Sequence, residues 1–302
     1  MSLKDTFKNK TVFSLEVYPP KTPEGTKKLV NALTGIKRIK PDFISITLGA
    51  GGSQNNNALE LSSMIQNDLN IPAMAHIPGI YRSKKDVADF LKQLKQHNIN
   101  NVLALRGDIN PDETPVGDFN HASELAEFIK TQGDFDITGA CYPQKHPESI
   151  DLVDDTLHLK EKVGNGVGHL ITQMVFDNQA FYDFRQRLKL AGINVPVEVG
   201  IMPCTNCNQI KHITELSGLE MPKKFVDIMN KYANNKEAMR DAGIAYAVDQ
   251  IVDLVANGVD GIHLYTMNNT YVAKKIWEAT HSLFEATSYQ LQHPSLSGSD
   301  NQ

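Results

Sequence analysis

The sequence is short of cysteine, of any excess of basic residues and of long apolar runs, and each shortage excludes a class of protein. Three cysteines in 302 residues are too few for a disulfide scaffold, which favours a reducing, cytoplasmic location. The net charge of -5 comes from interspersed acidic and basic residues, so neither nucleic acid nor an anionic membrane is an expected partner. No run approaches the roughly 18 apolar residues of a membrane span, and the N-terminus lacks the apolar stretch of a signal peptide.

Strand-like and helix-like segments alternate strictly along the chain. A closed barrel and an open doubly wound sheet are the two architectures that hold such alternation. Eight units within about 280 residues favour the TIM (β/α)8 barrel. We therefore predict one α/β barrel domain over residues 1–285 and a polar, disordered tail over residues 286–302. The predicted strands are Thr11–Val17, Phe43–Leu48, Ala73–Ile77, Asn101–Leu105, Asp136–Tyr142, His169–Val175, Val195–Met202 and Gly261–Thr266.

Polar side chains stand at the carboxyl ends of these apolar strands. The strand Asn101–Leu105 stops abruptly at Arg106, Gly107 and Asp108, and a charged pair about a glycine is not something a core needs. The carboxyl ends of barrel strands share one rim, where the active sites of such barrels lie. The other strand ends contribute Glu16, Thr47, His76, Tyr142, His146, Gln173 and Tyr265 to this predicted site.

Six motifs at these strand ends resemble a known family. In chain order they are SLEVYPPKT, SITLGA, LRGD, YPQKHPE, ITQMVFD and HLYTMN. Their order and spacing resemble methylenetetrahydrofolate reductases of the bacterial single-domain type, over about residues 12–284. The resemblance implies a TIM barrel with tightly bound FAD. It also implies a ping-pong reaction in which hydride passes from NADH or NADPH to the flavin and then to 5,10-methylenetetrahydrofolate, giving 5-methyltetrahydrofolate for methionine synthesis.

The resemblance places the general acid at Glu16. Opening the folate ring needs a proton on the leaving nitrogen, and a carboxyl group with a raised pKa supplies one. Glu16 lies in an apolar strand before two prolines, where desolvation is expected to favour the protonated form. The alternative is an edge-strand glutamate that points to water.

Asp108 matches the aspartate that the family sets near the flavin, where a negative charge tunes the redox potential. The alternative is the N-cap of a helix. Asp155 and Lys162 are seven residues apart on one helix face, which suits one extended ligand or, alternatively, a solvated face. The FAD-binding positions implied by the resemblance are Thr47, His76, Arg106, Gly107, Asp108, Tyr142, His146, Asp155 and Lys162.

The implied substrate-binding positions include two departures from the family pattern. The five implied substrate-binding positions are Glu16, Gln173, Cys207, Tyr265 and Asn269, of which Cys207 and Asn269 are the departures. Cys207 stands where the relatives have a phenylalanine, and Asn269 stands where they have an arginine. A thiol cannot stack as a phenyl ring does, and asparagine cannot pair with a carboxylate as arginine can.

Two further patterns in the sequence do not predict a site. Cys204 and Cys207 form a single C-x-x-C pair near Cys141, but no second pair exists, so no metal site is predicted. Glycines follow the second strand, but Gln54 occupies the last glycine position of a G-x-G-x-x-G motif, so a dinucleotide-binding fold is rejected.

Two other functions stay open at this stage. One is another FAD-dependent barrel oxidoreductase acting on a one-carbon or amine substrate, against which Glu16, Asp108 and Gln173 together argue. The other is a non-catalytic barrel that binds folate or flavin, against which the presence of Glu16 argues. Family members use either nicotinamide, and we expect NADH here. Because relatives assemble, we also expect a homo-oligomer.

Overall fold

A closed barrel of eight parallel strands forms the centre of the protein. The computed structural model describes residues 3–36, 39–48, 55–206 and 220–292. Each strand pairs with the next and β8 pairs with β1, which closes the sheet. The predicted TIM barrel is therefore confirmed. The strands are β1 Val12–Val17, β2 Phe43–Ile46, β3 Ala73–Pro78, β4 Asn101–Leu105, β5 Asp136–Cys141, β6 His169–Thr172, β7 Val197–Ile201 and β8 Gly261–Tyr265.

Helices surround the barrel in the alternation that the sequence predicts. The helix that Ser83 was expected to cap has a full capping box, in which the Ser83 hydroxyl and the Asp86 carboxylate accept from each other's backbone N–H groups. Its face of Val87, Phe90 and Leu91 is buried against the sheet. The helices are α1 Leu3–Phe7, α2 Pro23–Ile36, α3 Asn55–Ser63, α4 Lys84–Gln96, α5 Ala122–Thr131, α6 Leu152–Gly164, α7 Asn178–Ala191, α8 Lys223–Tyr232, α9 Lys236–Ala256 and α10 Thr270–Gln292.

The short helix α1 was not predicted. Leu3 is buried in a cluster with the interior-facing residues Val12, Phe43 and Met74, at the amino ends of the strands. Its backbone N–H donates to Asp136 Oδ2 at 3.1 Å. Five residues are too few to show a helical period, so only the tertiary structure reveals that this segment covers the base of the barrel.

Two helices end differently from the sequence-based expectation. The helix expected to run unbroken to Leu69 becomes a π-helical turn over Met64–Asp68. Helix α10 extends to Gln292, beyond the predicted domain end at residue 285, since no glycine or proline interrupts it before Pro294. Residues 293–302 of the predicted tail lie outside the described residues. In the part of the chain that is described, no helix has both the length and the apolar character needed to cross a membrane.

Candidate functional site

A cavity opens at the carboxyl ends of the strands, where the sequence predicts the site. Its volume is about 270 Å³. Polar side chains from six different strand ends or the loops after them meet there, so residues that are distant in sequence share one rim. The polar residues that line this mouth cavity are Glu16, His76, Arg106, Asp108, Tyr142, His146, Thr172, Gln173 and Tyr265.

Glu16 points into the mouth cavity from the interior of β1. Its side chain is 20% exposed, and the sheet has no edge at β1, so the edge-strand alternative is wrong. Two imidazole nitrogens, His76 Nε2 and His263 Nε2, each lie 3.6 Å from Glu16 Oε2. The Glu16 backbone carbonyl accepts a 2.6 Å hydrogen bond from the Thr266 hydroxyl, which fixes this end of the strand.

The resting charge of Glu16 differs from the expectation. Burial alone raises the pKa of this carboxyl group, as desolvation predicts, but the approach of His263 and the charge of His76 act in the opposite direction. The net effect is a pKa below the ordinary glutamate value. The expected raised pKa is therefore wrong, because the sequence around Glu16 does not show that β3 and β8 each bring a histidine to it.

His76 is a buried histidine with an unsatisfied nitrogen. The side chain is 5% exposed, and its Nε2 atom has no hydrogen-bond partner within the described structure. Burial lowers the pKa of His76 to about 4, although the Glu16 charge acts to raise it. The ring is therefore neutral at pH 7 and presents a polar atom to the cavity, where a ligand can satisfy it.

Replacing His76 with glutamine should reduce the stability lost between pH 7 and pH 5 by about 2 kcal/mol. Unfolded His76 takes up a proton below about pH 6.5, whereas the folded residue resists until about pH 4. Stability is thus present above this window and is lost as the pH falls through it. Urea unfolding at the two pH values measures the difference. The exposed His281→Gln serves as the control, and equal losses in wild type and His76→Gln would contradict the prediction.

The loop after β8 fastens the loop after β1 beside Glu16. The Asn268 side-chain oxygen accepts from the Tyr18 N–H at 3.0 Å, and its amide nitrogen donates to the Tyr18 carbonyl at 2.9 Å. Asn268 adopts a left-handed backbone with φ 56°, which asparagine tolerates better than most residues. The side chain therefore continues the β1–β8 pairing past the strand ends.

The turn after β4 requires its glycine. Gly107 has φ 93°, and a Cβ atom there would approach Pro78 Cβ to 3.0 Å. This turn directs Arg106 and Asp108 to the rim. Asp108 is exposed, and the next helix begins only at Ala122, so the helix N-cap alternative is wrong.

A second cavity of about 280 Å³ lies between α5 and α6 and continues from the mouth cavity. Two of its polar lining residues, Asp155 and Lys162, stand on the same face of α6 as the sequence predicts. Asp155 is buried, so the solvated-face alternative is wrong for it. The two cavities share the residues Leu105, Arg106, Ala140, Tyr142 and His146.

The charged side chains of the second cavity form hydrogen bonds and ion pairs with other groups of the protein. Asp155 Oδ1 accepts from the His146 N–H at 2.8 Å and from the Ser149 hydroxyl at 3.0 Å, so it shapes the loop between them. Lys162 Nζ donates to the Ala140 carbonyl at 2.8 Å, and burial lowers the pKa of this lysine. Arg106 forms a two-pronged ion pair with Glu148.

The neighbouring Tyr142 and His146 rings meet edge to face, with centroids 4.7 Å apart. Burial raises the pKa of Tyr142 to about 12, so its hydroxyl remains a donor. Burial, reinforced by the Arg106 charge, lowers the pKa of His146 and favours the neutral ring.

Several predicted positions have other local roles or lie outside the description. Thr47 lines neither cavity, and its backbone N–H donates to the Val17 carbonyl. Asn269 accepts from the Val272 N–H at the start of α10, which is a helix-capping contact. Gln173 lines the mouth cavity, and its side-chain oxygen accepts from the Met174 N–H. Cys207 and the glycines after β2 lie outside the described residues.

Two of the three cysteines lie within the described residues. Cys141 and Cys204 are buried, and burial raises the pKa of Cys141. Within the described residues, no group of three or more histidine, cysteine, aspartate or glutamate side chains is arranged to hold a metal ion.

Sequence reasoning missed a layer of polar groups inside the barrel. Ser14, His169, Glu198 and His263 are buried and joined by hydrogen bonds below Glu16. The sequence does contain one indication of these buried polar groups: Glu198 is a charged residue within the otherwise apolar segment VPVEVGIM. Glutamate is almost never fully buried without a partner.

Comparison with known proteins agrees with the motif resemblance. A family model described as methylenetetrahydrofolate reductase matches residues 2–281. The 5,10-methylenetetrahydrofolate reductase of Escherichia coli (strain K12) is 30% identical over 263 residues, which are 87% of this chain and 88% of that protein. A probable methylenetetrahydrofolate reductase (NADH) of Oryza sativa subsp. japonica is 32% identical over 274 residues, 86% of this chain. The chain spans about half the length of this rice relative, 46%.

One solved structure shares the fold at low identity. An uncharacterized protein from Clostridium thermocellum, which binds two copies of 5-methyl-5,6,7,8-tetrahydrofolic acid, is 15% identical with a TM-score of 0.68. The match covers 95% of this chain and 99% of that one. The structural likeness supports the barrel, and the family match over residues 2–281 shows that this chain belongs to the methylenetetrahydrofolate reductase family.

Proposed function

We propose that this chain reduces 5,10-methylenetetrahydrofolate to 5-methyltetrahydrofolate with NADH or NADPH, through bound FAD and in a ping-pong manner, and so supplies methyl groups for methionine synthesis. The observation that carries the proposal is one cleft, in which the mouth cavity around Glu16 continues into the second cavity, which Arg106 and Lys162 line. A proton donor and an extended dinucleotide site are what this reaction needs.

The residues of the cleft fit FAD. Among the described residues, the buried Nε2 atom of His76 has no hydrogen-bond partner, and Arg106 and Lys162 offer positive charge further along. Arginine and lysine are the usual partners of phosphate groups. FAD, when bound, supplies a two-electron carrier that takes up hydride from a nicotinamide and releases it to a folate. The flavin end would be held by His76, Gly107 and Asp108, and the nucleotide end by Arg106, Tyr142, His146, Asp155 and Lys162.

Glu16 is the proton donor of the proposal. The folate ring opens when its leaving nitrogen receives a proton, and Glu16 is the acid at the base of the mouth cavity. Gln173 and Tyr265 line the same cavity, where an amide suits hydrogen bonding to a pterin ring. The Tyr265 hydroxyl donates to the Thr172 carbonyl at 2.8 Å, which fixes the ring in the cavity wall.

Glu148 competes with phosphate for Arg106 in this arrangement. Both terminal guanidinium nitrogens, Nη1 and Nη2, donate to the Glu148 carboxylate, and the Glu148 side chain is about half exposed. A phosphate at this position must displace the carboxylate and also meets its negative charge. Glu148→Gln should therefore tighten FAD binding by several-fold, in line with the modest energy of an exposed ion pair. Fluorescence titration of the FAD-free protein measures the affinity, with the exposed Glu127→Gln on α5 as the control.

A weaker affinity in Glu148→Gln would contradict this prediction. It would show that Glu148 positions Arg106 for the phosphate rather than competing with it.

An anaerobic absorption series tests the proposed function. The visible spectrum is recorded for the purified protein, then after addition of NADH, and then after addition of 5,10-methylenetetrahydrofolate. A yellow protein that bleaches and then recovers its colour supports the proposal. NADH is the first donor to test because the rice relative carries it in its name, and NADPH is the second.

Each other outcome distinguishes an alternative. Bleaching by either donor without recovery after folate would indicate a flavin barrel with another substrate. Colour without bleaching would indicate a non-catalytic flavin-binding barrel. A colourless protein that cannot be reconstituted with FAD would exclude the proposal.

A further inference from the structure

A chain of buried polar groups leads from Glu16 down into the barrel and ends at a second carboxyl group. His263 Nε2 lies 3.6 Å from Glu16 Oε2, and the Ser14 hydroxyl lies 2.7 Å from His263 Nδ1. The same hydroxyl lies 2.6 Å from Glu198 Oε1. Three of these residues, Ser14, Glu198 and His263, are 0% exposed.

The lower end of the chain is anchored by a second histidine. His169 Nε2 lies 2.7 Å from Glu198 Oε2, and His169 Nδ1 lies 3.0 Å from the Thr138 hydroxyl. The His169 ring packs against Phe7 of α1, with centroids 4.6 Å apart. Since α1 covers the base of the barrel, this end of the chain is closed by an apolar side chain.

None of these groups lines the mouth cavity, apart from Glu16. Burying a glutamate costs several kcal/mol unless it is paired or neutral, and a barrel interior is ordinarily filled by branched apolar residues. A carboxyl group at this depth therefore calls for a role beyond packing.

We propose that Glu16 and Glu198 share one proton through His263 and Ser14, and that this internal relay loads Glu16 with the proton it donates. The inference rests on the proposed function for the use of the proton, but the sharing itself concerns only residues of this chain. Glu198 does not reach the substrate cavity, so it is a positioning residue rather than a catalytic one.

The contacts among Ser14, His263 and Glu198 are satisfied in two alternative arrangements, and the Ser45 hydroxyl, 3.4 Å from His263 Nε2, can accept from or donate to that nitrogen in either of them. In the first, protonated Glu198 donates to Ser14, Ser14 donates to His263 Nδ1, and His263 Nε2–H faces the Glu16 carboxylate. In the second, each proton has moved one step: Glu16 is protonated and faces His263 Nε2, His263 Nδ1–H donates to Ser14, and Ser14 donates to the Glu198 carboxylate. One proton and one negative charge are conserved, and they exchange ends.

The 3.6 Å separation between His263 and Glu16 is the one long step. Catalytic hydrogen bonds are often long in ligand-free structures and tighten on binding. His169 supports the second arrangement, because a Nε2–H group donates to the Glu198 carboxylate once that carboxylate is charged. Thr138 can then donate to His169 Nδ1.

Other charged groups lie near this relay and make it unfavourable for Glu16 and Glu198 to be ionised at the same time. Asp42, which precedes β2, pairs with Lys10 at 2.8 Å, and Asp260 precedes β8. Burial, with a smaller contribution from the Glu198 charge, raises the pKa of both aspartates. His76 faces Glu16 and His263, and the Tyr265 ring meets the His263 ring edge to face with centroids 5.2 Å apart. A single shared proton lowers the cost of holding these acids close together.

The first test compares the two half-reactions in variants of the relay. Glu198→Gln keeps the shape but cannot exchange a proton, and Ser14→Ala breaks the chain at its centre. Both should slow reoxidation by folate about tenfold or more and leave bleaching by NADH within about twofold. Ser62→Ala is the matched control, since its buried hydroxyl donates only to the Ala58 carbonyl.

The pH profile separates the relay from a merely structural role. In wild type, the folate step should fall less steeply with rising pH than in Glu198→Gln, where Glu16 has lost its internal source. A folate step with the wild-type rate and pH profile in both Glu198→Gln and Ser14→Ala would overturn the inference. Equal slowing of both half-reactions would also overturn it, because that indicates general damage.

The second test needs no cofactor or substrate. Infrared difference spectra of the FAD-free protein at pH 7 should show the carbonyl stretch of one protonated carboxyl group. The band should disappear in Glu198→Gln and persist in Ser62→Ala. Its absence from the wild type would exclude the shared proton. If the wild type instead failed the absorption series, the proposed function would fail while this test still decided the sharing.

Discussion

Glu16→Gln should still take up hydride from NADH but should reduce 5,10-methylenetetrahydrofolate about 10²- to 10⁴-fold more slowly than the wild type. Glutamine has the same shape as glutamate and keeps the contacts with the loop after β8, whose Thr266 bonds the backbone of residue 16 rather than its side chain. What it lacks is a proton to give. The step that requires a proton on the folate nitrogen is therefore the one that suffers.

The titration of Glu16 makes the rate of folate reduction depend on pH. The two nearby histidines hold the pKa of Glu16 below its ordinary value despite its burial, so the protonated fraction falls as the pH rises. Folate reduction by the wild type should therefore slow with increasing pH. In Glu16→Gln the remaining rate should lose this dependence, because the titrating acid is gone.

Stopped-flow absorbance at the flavin band measures each half-reaction separately. Glu127→Gln on the exposed face of α5 is the matched control and should behave as the wild type. If Glu16→Gln reduces folate at the wild-type rate, Glu16 is not the acid. If it loses both half-reactions, the side chain is needed to hold the flavin instead.

Gly243→Ala should destabilise the protein by about 3 kcal/mol, although alanine is the better helix former. Gly243 lies in α9, which passes directly beneath the segment that follows β7. A Cβ atom on Gly243 would lie 1.9 Å from the Cys204 carbonyl oxygen and 2.7 Å from its carbonyl carbon. Both are backbone atoms, so no side-chain rotation relieves the overlap.

The surroundings leave little room for either element to move. Cys204 is 1% exposed and packs in a small core with Phe176, Met202 and Phe225. Displacing the segment would disturb this core and the end of β7 at the rim of the barrel. The cost of overpacking therefore outweighs the gain of at most about 1 kcal/mol in helix propensity.

Urea unfolding gives the free energy for the variant. Gly35→Ala in α2 is the matched control, because no atom of the described residues lies within 4 Å of its added Cβ. That control should gain about 0.5–1 kcal/mol from the lower conformational entropy of alanine. Equal stability of Gly243→Ala and the wild type would show that α9 can shift without loss of packing.

Local patterns in the sequence predicted the barrel well. The strand β4 has the predicted bounds Asn101–Leu105. A continuous apolar run that ends at Arg106 and Gly107 predicts a strand of a parallel sheet buried on both faces, and it also marks where that strand ends. Asp155 and Lys162 lie on one face because their spacing follows from helix geometry alone. Helix α1 was missed because its stability comes from contacts with the barrel base rather than from its own five residues.

The sequence by itself determined the order of the eight strands and most of the polar residues at the carboxyl rim, because these depend on hydrophobic period and on short-range turn chemistry. Only the tertiary structure decided what surrounds each of those residues. The histidines that lower the pKa of Glu16 come from β3 and β8, and the Arg106 partner Glu148 comes from the loop after β5. Ser14 and Glu198, joined at 2.6 Å, are 184 residues apart. Closing the barrel brings such residues together, and no local pattern records which strands will face one another across its interior.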